Sequence, residues 1–233
     1  MHIENIAGYK FIPLNDLDAL RQDLMHCCSE NNLKGTILLS NEGINIFLAG
    51  TPTEIATFKK HLAADDRFAD ISFRISYSTF TPFKRLKIKC KKEIITMRRP
   101  EIKPTEQRAK NLSPNELKKW LDEKRDITLL DTRNIFEISH GTFENAVDLQ
   151  LKDFSEFPEA ANQVVGNKPV VMFCTGGIRC EKAALHMQNL GYPDVYQLDG
   201  GILNYFEQIG SAHYRGGCFV FDERIALLPN TPL

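Results

Sequence analysis

No stretch of the 233-residue chain approaches the roughly 18 consecutive apolar residues that a membrane span requires. The opening residues, MHIENIAGYKF, lack the basic-then-apolar order of a secretory signal, so the chain reads as cytoplasmic, with no membrane partner. Cysteine is scarce: Cys27, Cys28, Cys90, Cys174, Cys180 and Cys218 are too few for a disulfide framework at this length, and a cytoplasmic setting keeps them reduced. None forms a C-x-x-C pair and the six histidines do not bracket them at zinc-ligand spacing, so no metal ligands are assigned. A flavin or nicotinamide fingerprint, a haem attachment motif and a two-His-one-carboxylate iron pattern are missing too, and no cofactor is recognisable. Net charge is also nearly absent, at −1, so overall charge selects no partner.

What is present suffices for well-packed cores. Hydrophobic residues make up 42% and charged residues 25%, both near the globular average, and the length favours two domains. In the first ninety-odd residues GYKFIPL is a short apolar run, and DLDALRQDLMHCCSENN places Leu17, Leu20, Leu24 and Cys27 or Cys28 at helical spacing. GTILLS and INIFLAG flank the turn sequence NEG and read as a hairpin. TPTEIATFKKHLAAD opens with Thr51, Pro52 and Glu54, a capping box with proline at the first helical position, and ISFRISY alternates as a strand. The order β-α-β-β-α-β is the ferredoxin-like pattern, a small sheet covered on one face by two helices.

From residue 84 to 110 eleven Lys or Arg face three Glu, a local balance of about +8 on a chain otherwise acidic. In RLKIKCK the residues Leu86, Ile88 and Cys90 alternate with Arg85, Lys87, Lys89 and Lys91, which predicts a strand with one core face and one row of cations. That row, continued by Arg98 and Arg99, suits an RNA phosphate backbone, and its bland reading is a solvated face. Phe80 and Phe83 beside it read first as core residues and second as base-stacking groups. Pro100 and Pro104 mark a linker, and Ser113 with Pro114 starts a helix. Short buried strands then alternate with helices (ITLLDTR, AVDLQ, FSEFPEAANQVV, KPVVMFCT, RCEKAALHMQNLG, DVYQLDG, ILNYFEQIG), which predicts a parallel sheet covered on both faces. The expected organisation is a ferredoxin-like domain over 1–97, a basic linker over 98–112, a parallel α/β domain over 113–212 and a C-terminal arm over 213–233. In that arm CFVFDERI alternates like an added strand or an arm packing back on a domain.

Parallel sheets place ligands at the carboxyl ends of their strands, and Cys174 lies at one. The loop CTGGIRC joins a strand to a helix; its glycines let backbone N–H groups turn inward, and the helix adds its positive end. Such a loop favours the thiolate of Cys174, and Arg179 adds a fixed cation. A lone cysteine after a strand is more often a small buried residue, but Gly176, Gly177 and Arg179 together outweigh that reading. Only Thr175, Gly176, Gly177 and Ile178 separate Cys174 from Arg179, one residue fewer than in phosphate-binding cysteine loops, so the ring suits a persulfide sulfur better than a phosphate. Cys180 reads as a packing residue and alternatively as a resolving thiol. Asp131, Arg133 and Glu137 read first as an internal ion-pair network, with Asp131 and Arg133 as accessory site residues otherwise.

This half resembles a rhodanese domain, with LLDTRNIFEISHGTFENAVDL as the opening motif, CTGGIRC as the reactive loop and LDGGILNY as the closing motif. The run CTGGIRCEKA, together with GTILLSNEGINIFLAG upstream and GGCFVFDERI downstream, is similar more narrowly to rhodanese-containing tRNA uridine-34 hydroxylases with a ferredoxin-like N-terminal domain. The resemblance implies oxygen-dependent 5-hydroxylation of the wobble uridine in the tRNA anticodon region, molecular oxygen and a reductant as co-substrates, and Cys174 as the essential cysteine. Two rivals stay open on the residues alone: a sulfurtransferase carrying persulfide on Cys174, and a non-catalytic tRNA-binding or scaffold protein.

Overall fold

The computed structural model describes residues 2–229, which divide into two compact units, residues 2–94 and residues 95–229. In the first unit β1 (Ile3–Phe11), α1 (Leu17–Glu30), β2 (Lys34–Ser40), β3 (Gly43–Gly50), α2 (Pro52–Ala63), β4 (Arg74–Ser78) and β5 (Leu86–Cys90) follow in order. The sheet runs β4-β1-β3-β2-β5, a ferredoxin-like arrangement with one added edge strand that pairs parallel to β2. The first strand begins earlier than GYKFIPL implies, because Ile3 to Ala7 pair with β4 while Pro13 has no N–H to extend the ladder. Ile44, Ile46 and Leu48 of β3 meet Leu20, Leu24 and Cys28 of α1 and Ile55, Phe58 and Leu62 of α2 in one core. The Thr51–Glu54 capping box is formed, with Pro52 in the first turn.

β5 carries the basic row. Ile88 is buried and Leu86 half-buried, whereas Arg85, Lys89 and Lys91 are exposed and Lys87 is half-buried. Cys90, expected on the core face, is exposed instead, since the strand ends there and its apolar face stops at Ile88. Phe80 is exposed rather than packed in the core, and Phe83 is half-buried.

The second unit contains β6 (Lys110–Leu112), α3 (Pro114–Asp122), β7 (Thr128–Asp131), α4 (Ile135–Ile138), β8 (Gly141–Phe143), β9 (Val147–Asp148), α5 (Phe157–Ala160), β10 (Val170–Phe173), α6 (Ile178–Asn189), β11 (Val195–Leu198) and α7 (Gly201–Gln208). Its sheet is β6-β11-β10-β7-β9, parallel throughout. Every residue of β10 is buried, as a central parallel strand requires. Two assignments differ from expectation. Lys110–Leu112, counted with the linker, is an edge strand on β11, and FSEFPEAANQVV is not one helix but two 3₁₀ turns flanking the four-residue α5, which has Pro158 in its first turn.

Within the arm β12 (Tyr214–Gly216) pairs antiparallel with β8, and β13 (Cys218–Phe219) pairs antiparallel with β14 (Ala226–Leu227). The expected single strand CFVFDERI is thus a hairpin, and the last residues assigned to the arm, 230–233, lie outside the described residues.

Candidate active site

Cys174 follows the last residue of β10 and precedes α6 by three residues. Gly177, the residue before the helix, has φ +101, a left-handed conformation that glycine adopts without strain. This conformation curls the loop back on itself, and the Gly177 N–H donates to Cys174 Sγ at 3.1 Å. The loop is held from outside by α7. Ile202 N donates to the Cys174 carbonyl at 2.9 Å and Leu203 N to the Thr175 carbonyl at 3.1 Å. Gly201, at φ +66, permits that approach, because a Cβ there would lie 2.5 Å from the Cys174 carbonyl oxygen. The closing motif therefore clamps the reactive loop through its backbone.

Cys174 has no exposed surface, and burial alone would raise its pKa. The Cys180 thiol, the Arg179 charge and the Arg179 and Gly177 backbone N–H groups outweigh burial and bring it down to about 5. Cys180 moves the opposite way: burial and the neighbouring Cys174 thiolate push its thiol up, so it keeps the proton it donates. It is fully buried and also lies 3.7 Å from Thr132 Oγ1, whose hydroxyl is fixed by the Phe173 carbonyl at 3.0 Å. Cys180 thus packs in the core and contacts the reactive sulfur at once.

Arg179 forms a two-point ion pair with Glu137 of α4, Nη2 to Oε1 at 2.8 Å, with both side chains buried. Thr175 makes long contacts of 3.5 Å to Glu137 Oε1 and to the Phe219 carbonyl. Gly176 and Ile178 complete the loop; Gly176 is half-exposed with open space where a Cβ would be, and Ile178 is buried. Asp131 and Arg133 form a separate buried pair, Nη2 to Oδ2 at 2.7 Å, tied to Thr142 Oγ1 and the Gly141 carbonyl. They brace the end of β7 against β8.

Sequence reasoning placed Glu137 in an internal ion-pair network but missed its partner, and it missed the roles of Cys218 and Phe219. The Glu137–Arg179 pair joins two motifs 42 residues apart. Cys218 is fully buried beside the Thr175 hydroxyl, and burial pushes its thiol up to about 12. Phe219 reaches the loop through its carbonyl. A cysteine and two aromatics in GGCFVFDERI were the signal, but nothing local placed them at this loop. Among the described residues no group of three His, Cys, Asp or Glu side chains is arranged to hold a metal ion, and no helix is long and apolar enough to cross a membrane.

A thiolate held in a six-residue loop at the carboxyl edge of a parallel sheet defines the second unit as a rhodanese-type domain. Residues 113–208 match the rhodanese-like domain model, and residues 3–94 match the UPF0176 acylphosphatase like domain model. The tRNA uridine(34) hydroxylase of Cupriavidus pinatubonensis is 55% identical over 238 residues, covering 99% of this chain and 84% of its own length. That of Thiobacillus denitrificans is 53% identical over 235 residues, covering 97% and 95% respectively. The chain belongs to the tRNA uridine(34) hydroxylase family.

Proposed function

We propose that this protein is a tRNA-modifying oxidoreductase that hydroxylates C5 of uridine 34 in the anticodon region, acting in the cytoplasm, with Cys174 as its nucleophile. The observation that carries the reading is the likeness, along nearly the whole chain, to proteins named for this reaction. The site offers a nucleophile suited to such a reaction. C5 of uracil is a poor nucleophile until a group adds at C6, and a thiolate present at neutral pH is suited to that addition. The S–C6 bond forms as the electron pair moves to C5 and O4. C5 then attacks one oxygen of a peroxide formed from O₂ by the two electrons and two protons of the reductant, and the O–O bond breaks with release of hydroxide. Loss of the C5 proton expels the Cys174 thiolate and restores the ring. The net change takes uridine, O₂, two electrons and two protons to 5-hydroxyuridine and water, so a reductant is consumed.

Within this reading Thr175 to Ile178 shape the loop, Arg179 and Cys180 set the charge of the sulfur, and Asp131 and Arg133 brace the sheet end. Arg85, Lys87, Lys89 and Lys91 in the first unit, and Arg98 and Arg99 in the second, take RNA phosphates. The test is nucleoside mass spectrometry of tRNA from cells lacking the protein, complemented with the parent or with Cys174→Ala. 5-Hydroxyuridine derivatives disappear on deletion and return only with the parent. Loss of a thiolated nucleoside instead would establish sulfur transfer, and full rescue by Cys174→Ala would leave the protein without a catalytic cysteine.

A further inference from the structure

The hairpin of β13 and β14 and the helix α4 expose apolar groups that neither core uses. Ile135, Phe136, Phe221, Ile225 and Leu228 are half of the ten exposed large hydrophobic side chains among the described residues, and Phe136 and Phe221 are 43% and 54% exposed. We infer that Phe136 and Phe221 form a stacking surface for an unpaired RNA base next to the target uridine, an inference that rests on the function proposed above.

Position favours it first. Phe136 directly precedes Glu137, the residue that fixes Arg179, and Phe219 touches Thr175 through its carbonyl. A residue one position from Phe136 and another two positions from Phe221 therefore contact the Cys174 loop. The rings are also arranged as a set. Phe219, half-buried, lies 5.2 Å from Phe136 and 5.2 Å from Phe221, near perpendicular to each, and so packs edge-to-face with the two more exposed rings. Phe136 and Phe221 are 6.3 Å apart at 85°.

The tip of the hairpin is held by hydrogen bonds. Val220 N donates to the Ile225 carbonyl at 2.8 Å, and Asp222 accepts from Arg224 N at 3.0 Å and from its Nε at 2.8 Å. Ile225 has φ +67, a conformation that a β-branched residue rarely adopts and that persists only where its surroundings impose it. The turn thus holds Phe221 and Ile225 toward solvent at a conformational cost. A substrate explains such an outlay. Uridine 34 must leave its neighbours to reach a buried sulfur, and an aromatic ring that takes up the adjacent base offsets the lost stacking.

The inference is tested with the full chain in a Cys174→Ser background, binding a synthetic anticodon stem-loop RNA with uridine at the wobble position. Phe136→Ala and Phe221→Ala should each weaken binding roughly tenfold or more, Phe221→Leu should fail to restore it, and Phe221→Tyr should bind like the parent. In Trp120→Phe/Phe221→Trp the new indole should be quenched by the RNA. Parent-like binding by Phe221→Leu, or an indole indifferent to RNA, would overturn the surface, as would unchanged RNA affinity with an altered oligomeric state. Failure of the intact protein to make 5-hydroxyuridine in cells would instead refute the proposed function, whatever the rings do.

Discussion

Removing the Cys180 thiol should raise the pKa of Cys174 without moving the loop. From the ordinary thiol value of 9.0 to about 5, the folded protein favours the thiolate by about 5 kcal/mol, at roughly 1.4 kcal/mol per tenfold change. That preference is a balance, because burial works against it and must be exceeded by the Cys180 hydrogen bond, the Arg179 charge and the two backbone donors. A hydrogen bond to a charged group contributes roughly 1.5 to 3 kcal/mol, so Cys180→Ala should move the midpoint up by roughly 1 to 2 pH units. Cys180→Ser, which keeps a donor, should recover most of that difference. Thiolate absorbance near 240 nm reads the titration in a Cys90→Ala background, as the difference from a matched Cys174→Ser protein. Cys28 and Cys218 are pushed up to about 12, and Cys27 and Cys180 are raised, so they stay silent below pH 8. Stability should follow the same titration. The folded pKa lies below the unfolded one, so the contribution of Cys174 is complete above about pH 9 and is lost as pH falls toward 5, a slope that Cys174→Ser abolishes. An unchanged midpoint in Cys180→Ala would refute this division of the effect and assign the thiolate to Arg179 and the backbone alone.

Gly201→Ala places a methyl group 2.5 Å from the Cys174 carbonyl oxygen at a φ of +66, and should cost roughly 1 to 3 kcal/mol in chemical denaturation together with most activity. Parent-like stability and turnover would show that the clamp is dispensable. Asp131→Asn leaves Arg133 charged and buried without its carboxylate and should destabilise the protein by about 3 to 5 kcal/mol while leaving the Cys174 midpoint in place. A displaced midpoint would give this pair a chemical role. Replacing Arg85, Lys87, Lys89 and Lys91 by Gln should lower the slope of log affinity for tRNA against log salt by up to about 3, at roughly 0.7 per single-strand phosphate, with thermal stability intact. An unaltered slope would locate the RNA elsewhere.

What the residues declared in advance was what their immediate neighbours decide. Alternation around NEG, the capping box at Thr51 and the Ser113 cap with Pro114 are short-range signals, and the corresponding elements form. Lys110–Leu112 was illegible because three residues carry no period, and its partner β11 lies more than eighty positions on. Cys90 followed the alternation of its strand one step too far, since only the sheet edge shows where the apolar face stops. The same limit governs the site. Loop length and the glycines pointed to an anion-holding ring at Cys174, but the helix after it supplies only part of the answer. A sulfur with no exposed surface is pushed toward the neutral thiol by burial, and it becomes charged here because Cys180, six residues on, keeps its own proton and shares it, because Arg179 lies close by, and because the backbone N–H groups of Arg179 and of the left-handed Gly177 turn inward. Cys180 therefore packs in the core, as one of its sequence readings had it, and also donates to the reactive sulfur. In the folded protein it is the buried donor that the neighbouring anion requires, and this follows from the curl of the loop rather than from the spacing of the two cysteines.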